Sequence, residues 1–415
     1  MSQTQRRPVV FLHIGPMKTG TSYVQNLMAA NKERLQTTGH LFPGGSWDRQ
    51  VRGVQDVLRR TRHDPQVRAA AQGAWAALAR EVLEYDGHAS IVSVEFLSFA
   101  GAAAASRVLR SLDAAEVHVV LTVRDVTAII PSRWPTEVHN GSTVSWPSYT
   151  RALRTGAVSG RQGRLSPFAT VRRFSKAQDV ERILRVWGDR VSPDHLHVVT
   201  VPPPPADRRL LWSRFATAVG MDPAECAEPP RSANESLGYP STELLRRVNR
   251  QLGRMRPSDY NPTVKAQLAL NALDDRRLHE RRVLLDPMTF GLGLAWNARA
   301  REVIVRSGAR LVGDLDDLPV HLSEDERRRL AVPQPPPTEE EQLAAAAPAA
   351  DAMVNLVRRR ARHLRRRGQQ VTVETFDASV AAERWRSASD PVEAAAADIA
   401  RLARTAIELH RRLRA

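Results

Sequence analysis

Gly15, Lys18, Thr19, Gly20, Thr21 and Ser22 fall together in the stretch "FLHIGPMKTGTSYVQNL" near the start of the 415-residue chain. Glycines at 15 and 20 permit sharp turns that aim backbone N–H groups at an anion, and the start of a helix adds its own donors. The hydroxyls supply further donors, and Lys18 supplies a movable positive charge. A set of this kind binds phosphate or a similar oxyanion. It keeps the glycine spacing of the G-x-x-x-x-G-K-[ST] loop that holds ATP or GTP. Its lysine, however, precedes the second glycine, and Thr21 stands where that loop has its lysine. A second pair lies downstream in "VHVVLTVRDVTAIIPSRW", where Ser132 follows Arg124 eight positions later. A guanidinium fork with a hydroxyl beside it suits another phosphate. Glu95, in "SIVSVEFLSF", offers a carboxylate for proton abstraction.

These residues need a scaffold that brings them to one edge. Four β-branched apolar runs read as buried parallel strands: Val9 to Ile14, Ile91 to Val94, Val117 to Val123 and His195 to Val201. Stretches with apolar residues at three- and four-residue spacing, such as "SKAQDVERILRVWGDRV", separate them as helices. Strand–helix alternation predicts an α/β fold, a three-layer parallel sheet whose ligands bind at the carboxyl ends of the strands. Lys18, Glu95 and Arg124 all follow such ends. Asp125 reads as an acid at a helix start, favoured by the dipole, rather than a Mg²⁺ ligand. Trp187 and Trp212 read as core.

The loop "PMKTGTSY" resembles the 5′-phosphosulfate loop of sulfotransferases that use 3′-phosphoadenosine-5′-phosphosulfate (PAPS), and the arginine–serine pair resembles their 3′-phosphate site. The likeness is to bacterial members and covers roughly residues 8 to 250, including "LWSRFATAVGMDP" and "RSANESLGYPSTELLRRVN". It implies a phosphate-loop (P-loop) topology. It also implies a cofactor site of Gly15, Pro16, Met17, Lys18, Thr19, Gly20, Thr21, Ser22 and Tyr23, completed by Arg124 and Ser132 on the 3′-phosphate. Tyr23 stands where many members have a tryptophan stacked on adenine. The implied reaction moves a sulfuryl group to a hydroxyl or amine and releases PAP. It asks for no metal, and the sequence spacing suggests none. Lys18 would offset charge on the leaving group, and Glu95 would be the base, since bacterial relatives often carry S-x-E there. His40 and His63 are the alternative bases, while His13 is expected in the core and His139 in a surface loop. Arg231 and Ser232 fall where some relatives bring a basic loop onto the 3′-phosphate. Two other readings stay open: a P-loop kinase acting on a small molecule, and a non-catalytic nucleotide-binding scaffold.

The net charge of +16 favours acidic partners, although only four of the 61 basic residues are lysines, so arginine is a whole-chain bias. Residues 1–235 are expected to form the core and 236–330 a helical extension without a strand. Residues 331–350 read as a Pro/Ala-rich linker and 351–415 as an Arg-rich helical tail. The tail is expected as a solvated appendage capable of self-association, and without aromatic residues in "RRRARHLRRRG" nucleic-acid binding is disfavoured. One cysteine, Cys226, excludes an intrachain disulfide, and no apolar run approaches a membrane span, which reads as a cytoplasmic protein. The acceptor, a small molecule, carbohydrate or lipid, is expected between residues 39 to 65 and 134 to 170, where Arg49, Arg52, Arg151, Arg154 and Arg161 lie.

Overall fold

A computed structural model describes residues 7–59, 65–156, 166, 168–229, 236–373 and 375–414. They fall into two compact units that interleave along the chain: one of residues 1–129, 152–234 and 287–327, the other of 130–151, 235–286 and 328–415.

The first unit is built on a six-stranded parallel sheet: β1 (Val9–Gly15), β2 (His40–Leu41), β3 (Ala89–Ser93), β4 (Glu116–Val123), β5 (Leu196–Thr200) and β6 (Arg310–Val312), in spatial order β2-β3-β1-β4-β5-β6. From β1 the chain runs to the β2 edge, returns to β3 beside β1 and then crosses to β4 on the other side, so the connections leaving β1 and β4 run in opposite directions. That reversal opens a crevice at the carboxyl end of β1, the usual ligand position in such sheets.

The helices used below are α1 (Thr21–Ala30), α2 (Trp47–Val57), α3 (Ala74–Leu83), α4 (Ala102–Arg110), α5 (Val126–His139) and α6 (Ala169–Gln178). They continue with α7 (Val180–Gly188), α8 (Arg208–Ala218), α9 (Tyr239–Leu252), α10 (Pro287–Ser307), α11 (Glu339–Arg366) and α12 (Pro391–Arg414). Side chains alternate across a strand. Val10, Leu12 and Ile14 therefore face one layer, with Trp75 and Leu78 of α3, Val108 of α4, Ile183 and Trp187 of α7 and Val303 of α10. Phe11 faces the other layer, with Val24, Leu27 and Met28 of α1 and Trp212 and Phe215 of α8. Trp187 and Trp212 are core residues, as their helical spacing predicts.

Two strands escape the sequence reading. β2 contains His40, outside the four runs read as strands, and β6 lies in the stretch expected to be helical throughout. Both are edge strands of two or three residues, too short to display alternation.

In the second unit, α9, α11 and α12 pack around one another with a π-helical segment, Asn261–Ala272, capped by Leu273, whose N–H donates to the Leu268 carbonyl at 3.0 Å. Residues 339–350, expected as linker, are the opening turns of α11. Thr338 and Glu341 form a capping box there, and capping fixes a helix start that alanine propensity then extends. The tail is no solvated appendage. Ala345, Ala346, Ala349 and Met353 of α11 and Ala396, Ile399, Ala400 and Ala403 of α12 are buried, because small side chains let the helix backbones approach closely. Arg360, in the middle of the arginine run, is also buried, donating to Thr263 Oγ1 at 2.9 Å, the Ala406 carbonyl at 2.8 Å and the Pro262 carbonyl at 3.0 Å. No helix among the described residues is long and apolar enough to cross a membrane.

Candidate functional site

β1 ends at Gly15, whose φ of +82° belongs to the left-handed region, and the Gly15–Pro16 peptide is cis. The loop then passes Lys18, at φ 72°, and Gly20, at φ 80°, into α1. Lys18 and Arg59 are the two non-glycine residues with positive φ among those described. That conformation costs about 1–2 kcal/mol in an ordinary residue, and such strain concentrates where a ligand is held. Gly20 is the N-cap of α1 and offers no side-chain cap, so the first N–H groups of the helix, those of Thr21 and Ser22, suit an anion.

A chain of hydrogen bonds fastens this loop to the sheet, and its direction follows from donor counting. Thr19 Oγ1 donates to the Pro16 carbonyl at 2.6 Å, which uses its only proton. The 2.6 Å contact between Thr19 and Thr122 hydroxyls is therefore donated by Thr122. His13 Nε2–H must then donate to Thr122 Oγ1 at 3.3 Å, leaving Nδ1 to accept from Ser93 Oγ at 2.7 Å. His13 is fully buried, and burial lowers its pKa to about 3, consistent with the neutral ring this network requires. It is the core residue the sequence predicts. Thr19 differs: expected among the ligand donors, it is fully buried, with its hydroxyl spent inside the loop.

The His13 geometry predicts acid sensitivity. A histidine of ordinary pKa 6.5 that falls to about 3 on folding binds its proton more readily in the unfolded chain. Its contribution is complete above pH 6.5 and is lost as pH drops toward 3, with a slope approaching about 1.4 kcal/mol per pH unit. Denaturant melts of wild type and His13→Gln between neutral pH and pH 5, above most carboxylate titration, should show a flatter profile for the variant. Parallel profiles would rule this out.

Arg124 leaves β4 and reaches the same loop, with Nη1 donating to the Lys18 carbonyl at 3.3 Å. Burial lowers the pKa of its guanidinium, Asp125 works in the opposite direction, and Arg208 at the start of α8 lowers it again. Two guanidinium groups within electrostatic reach of each other beside a loop of N–H donors favour a bound anion. Gln178, the last residue of α6, donates to the Met17 carbonyl at 2.9 Å. A cavity of about 30 Å³ opens here, lined among others by Pro16, Thr19, Arg124, Gln178, Glu181 and Arg299. That volume holds about one water. That is too small for a phosphate, and Asp179 and Glu181 add carboxylates to its wall, so an oxyanion held by the loop donors, like an adenosine, would lie outside the enclosed space.

Asp125 is engaged as a helix-start acid. Its Oδ1 accepts from Thr127 N–H at 2.8 Å and from Asn297 Nδ2 at 2.7 Å, and its Oδ2 accepts from the Thr127 hydroxyl.

Glu95 follows β3 and sits directly against Gly15, 9% exposed. Gln25 of α1 donates to Glu95 Oε2 at 3.2 Å and to the Ser93 carbonyl at 3.0 Å, which aims the carboxylate from the helix that the loop feeds. Tyr23, half-buried, packs on the core beneath α1. Burial first, then Asp207, raises its pKa, with Arg209 and Arg208 opposing. His40 is buried in β2, its Nδ1 3.1 Å from Glu225. Burial lowers its pKa while Glu225 counteracts. Ser132 lies on α5, past the point where that helix passes into the second unit, and its carbonyl accepts from the Ser236 hydroxyl at 3.4 Å. His139 is the last residue of α5 rather than part of a surface loop. His63, Arg161, Arg231 and Ser232 lie outside the described residues.

Gln25, Thr122, Gln178 and Arg208 escape the sequence reading. Only Arg208 had a signal, a basic residue at a helix start just after a strand, and the arginine richness of the chain conceals it. Compared with family models, with curated proteins and with solved structures, the chain matches none.

Proposed function

We propose that the chain is a cytoplasmic PAPS-dependent sulfotransferase with a P-loop topology. The observation that carries this reading is the loop itself: a strained Lys18 between two left-handed glycines, uncapped helix N–H groups behind it and Arg124 docked on its backbone. Lys18 and the N–H groups of Thr21 and Ser22 would hold the phosphosulfate end, with Arg124 and Arg208 adding charge for phosphate oxygens. PAPS, when bound, supplies the activated sulfuryl group. Glu95, oriented by Gln25, would take the proton of the acceptor hydroxyl or amine, and the positive charge of Lys18 would steady the phosphate as it leaves. In the kinase alternative Asp125 would hold Mg²⁺, but both its oxygens already accept hydrogen bonds at the start of α5, which favours the sulfotransferase. The non-catalytic scaffold would keep the pocket without Glu95 chemistry.

The test is a thermal melt with parallel turnover. PAP should raise the melting temperature without Mg²⁺, and ATP–Mg²⁺ should do little. Label transfer from PAPS, across a panel of carbohydrates, lipids and phenolic metabolites, should be lost in Glu95→Gln while the PAP shift persists. Stronger, Mg²⁺-dependent stabilisation by ATP would move the assignment to a kinase. A PAP shift with no transfer to any acceptor would favour the scaffold.

A further inference from the structure

At the opposite end of the sheet, β4 and β5 begin with two E/H-x-H patterns: Glu116 and His118 on one strand, His195 and His197 around the start of the other. Residues two apart share a face of a strand, and the parallel register of Val119 with Leu196 brings the two patterns side by side. His118 Nε2 lies 2.9 Å from Glu116 Oε1, and His195 Nε2 lies 3.6 Å from the same oxygen. One nitrogen or oxygen from each of Glu116, His118 and His195 falls within 4.8 Å of the others.

We propose that Glu116, His118 and His195 form a binding site for a divalent first-row metal ion, with Zn²⁺ the committed case. Ligands of tetrahedral Zn²⁺ at about 2.0–2.1 Å stand about 3.3 Å from one another, and the separations of 2.9 Å and 3.6 Å bracket that value. A proton on His118 satisfies only the contact between His118 and Glu116, whereas a cation satisfies all three groups at once. Two imidazoles and a carboxylate are also the donor set that borderline divalent ions prefer.

The surroundings support the ligands. The other ring nitrogen of His118, Nδ1, is 3.0 Å from His197 Nε2, the second contact that fixes the orientation of a metal-binding imidazole. Phe11 stacks on the His118 ring at 4.7 Å, 26° from parallel. Glu116 is 46% exposed and His195 33%, which leaves an approach for the ion and room for water as a fourth ligand. Arg7, just ahead of β1, and Arg310, at the start of β6, place opposing positive charge nearby. Such a site would tie the entry of β5 to that of β4, and it uses none of the loop residues on which the proposed transfer depends.

The full-length chain, stripped with a chelator and dialysed, should be titrated calorimetrically with ZnCl₂ and melted with and without the metal. One saturable site per chain and a raised melting temperature are expected. His195→Gln, which alters a partly exposed side chain, should weaken binding at least about tenfold, as should Glu116→Gln, and His197→Gln should weaken it by about 10–100-fold with the stoichiometry retained. Absence of saturable binding in the wild type overturns the proposal. So does binding unchanged in both His195→Gln and Glu116→Gln, since the metal would then be held by other residues.

Discussion

Lys18→Gly is expected to cut the proposed sulfuryl transfer by about 10²–10³-fold, the usual loss when one preorganised charge-stabilising group is removed, while leaving the fold essentially as stable as before. The separation of the two effects comes from the backbone. At φ 72° the lysine sits where glycine is at ease, so the substitution relieves about 1–2 kcal/mol of strain. It returns about 0.5–1 kcal/mol through the greater freedom of glycine in the unfolded chain. The Arg124 contact is made to the backbone carbonyl of residue 18 and survives the change. Label transfer to the best acceptor of the panel and a urea melt on the same preparation provide the check. A large loss of stability would mean that the lysine stem, not its charge, is what the loop requires. Unchanged turnover would remove the amine from the chemistry.

Gly15→Ala should do the reverse and attack the fold. A Cβ on Gly15 would stand 2.7 Å from Glu95 Cβ and 2.9 Å from Glu95 Cα. The second of these is backbone and cannot swing away, because β1 and β3 are locked in register up to His13 and Ser93. The left-handed φ adds about 1–2 kcal/mol to an overpacking cost of about 1–3 kcal/mol. The sum, roughly 2–5 kcal/mol, is among the larger effects expected of one methyl group. Gly73→Ala is the internal control: it has a similar φ of +77° with nothing within 4 Å of the added carbon, so it should show the strain alone. Equal losses at the two positions would mean that the loop and β3 separate readily.

The contrast between these positions also explains what could be read from sequence. Gly15, Lys18 and Gly20 announce themselves because backbone permissiveness is written locally, and β1, β3, β4 and β5 because runs such as "VHVVLTV" have no solvent-facing alternative. The anchoring of the loop is not local. Thr19 looked like a ligand donor, and only the arrival of Thr122 and Pro16 at its hydroxyl turns it inward. β2 and β6 owe their existence to a neighbouring strand rather than to their own composition. The tail misled for a different reason. Arginine and alanine suggest solvent, yet alanine buries well wherever two helices approach closely enough to need it, and the buried arginine there is satisfied by backbone carbonyls. Glu116-x-His118 and His195-x-His197 were visible as text, but their meeting depends on the pairing of β4 with β5.

The relay from Ser93 through His13, Thr122 and Thr19 to the Pro16 carbonyl has one more implication. With each hydroxyl and the ring giving a single proton in the same sense, no link can reverse alone, so this part of the molecule behaves as a rigid buckle. Any adaptation to a visitor must therefore come from beyond the clasp, in the Lys18 amine and in the arginines that overhang it.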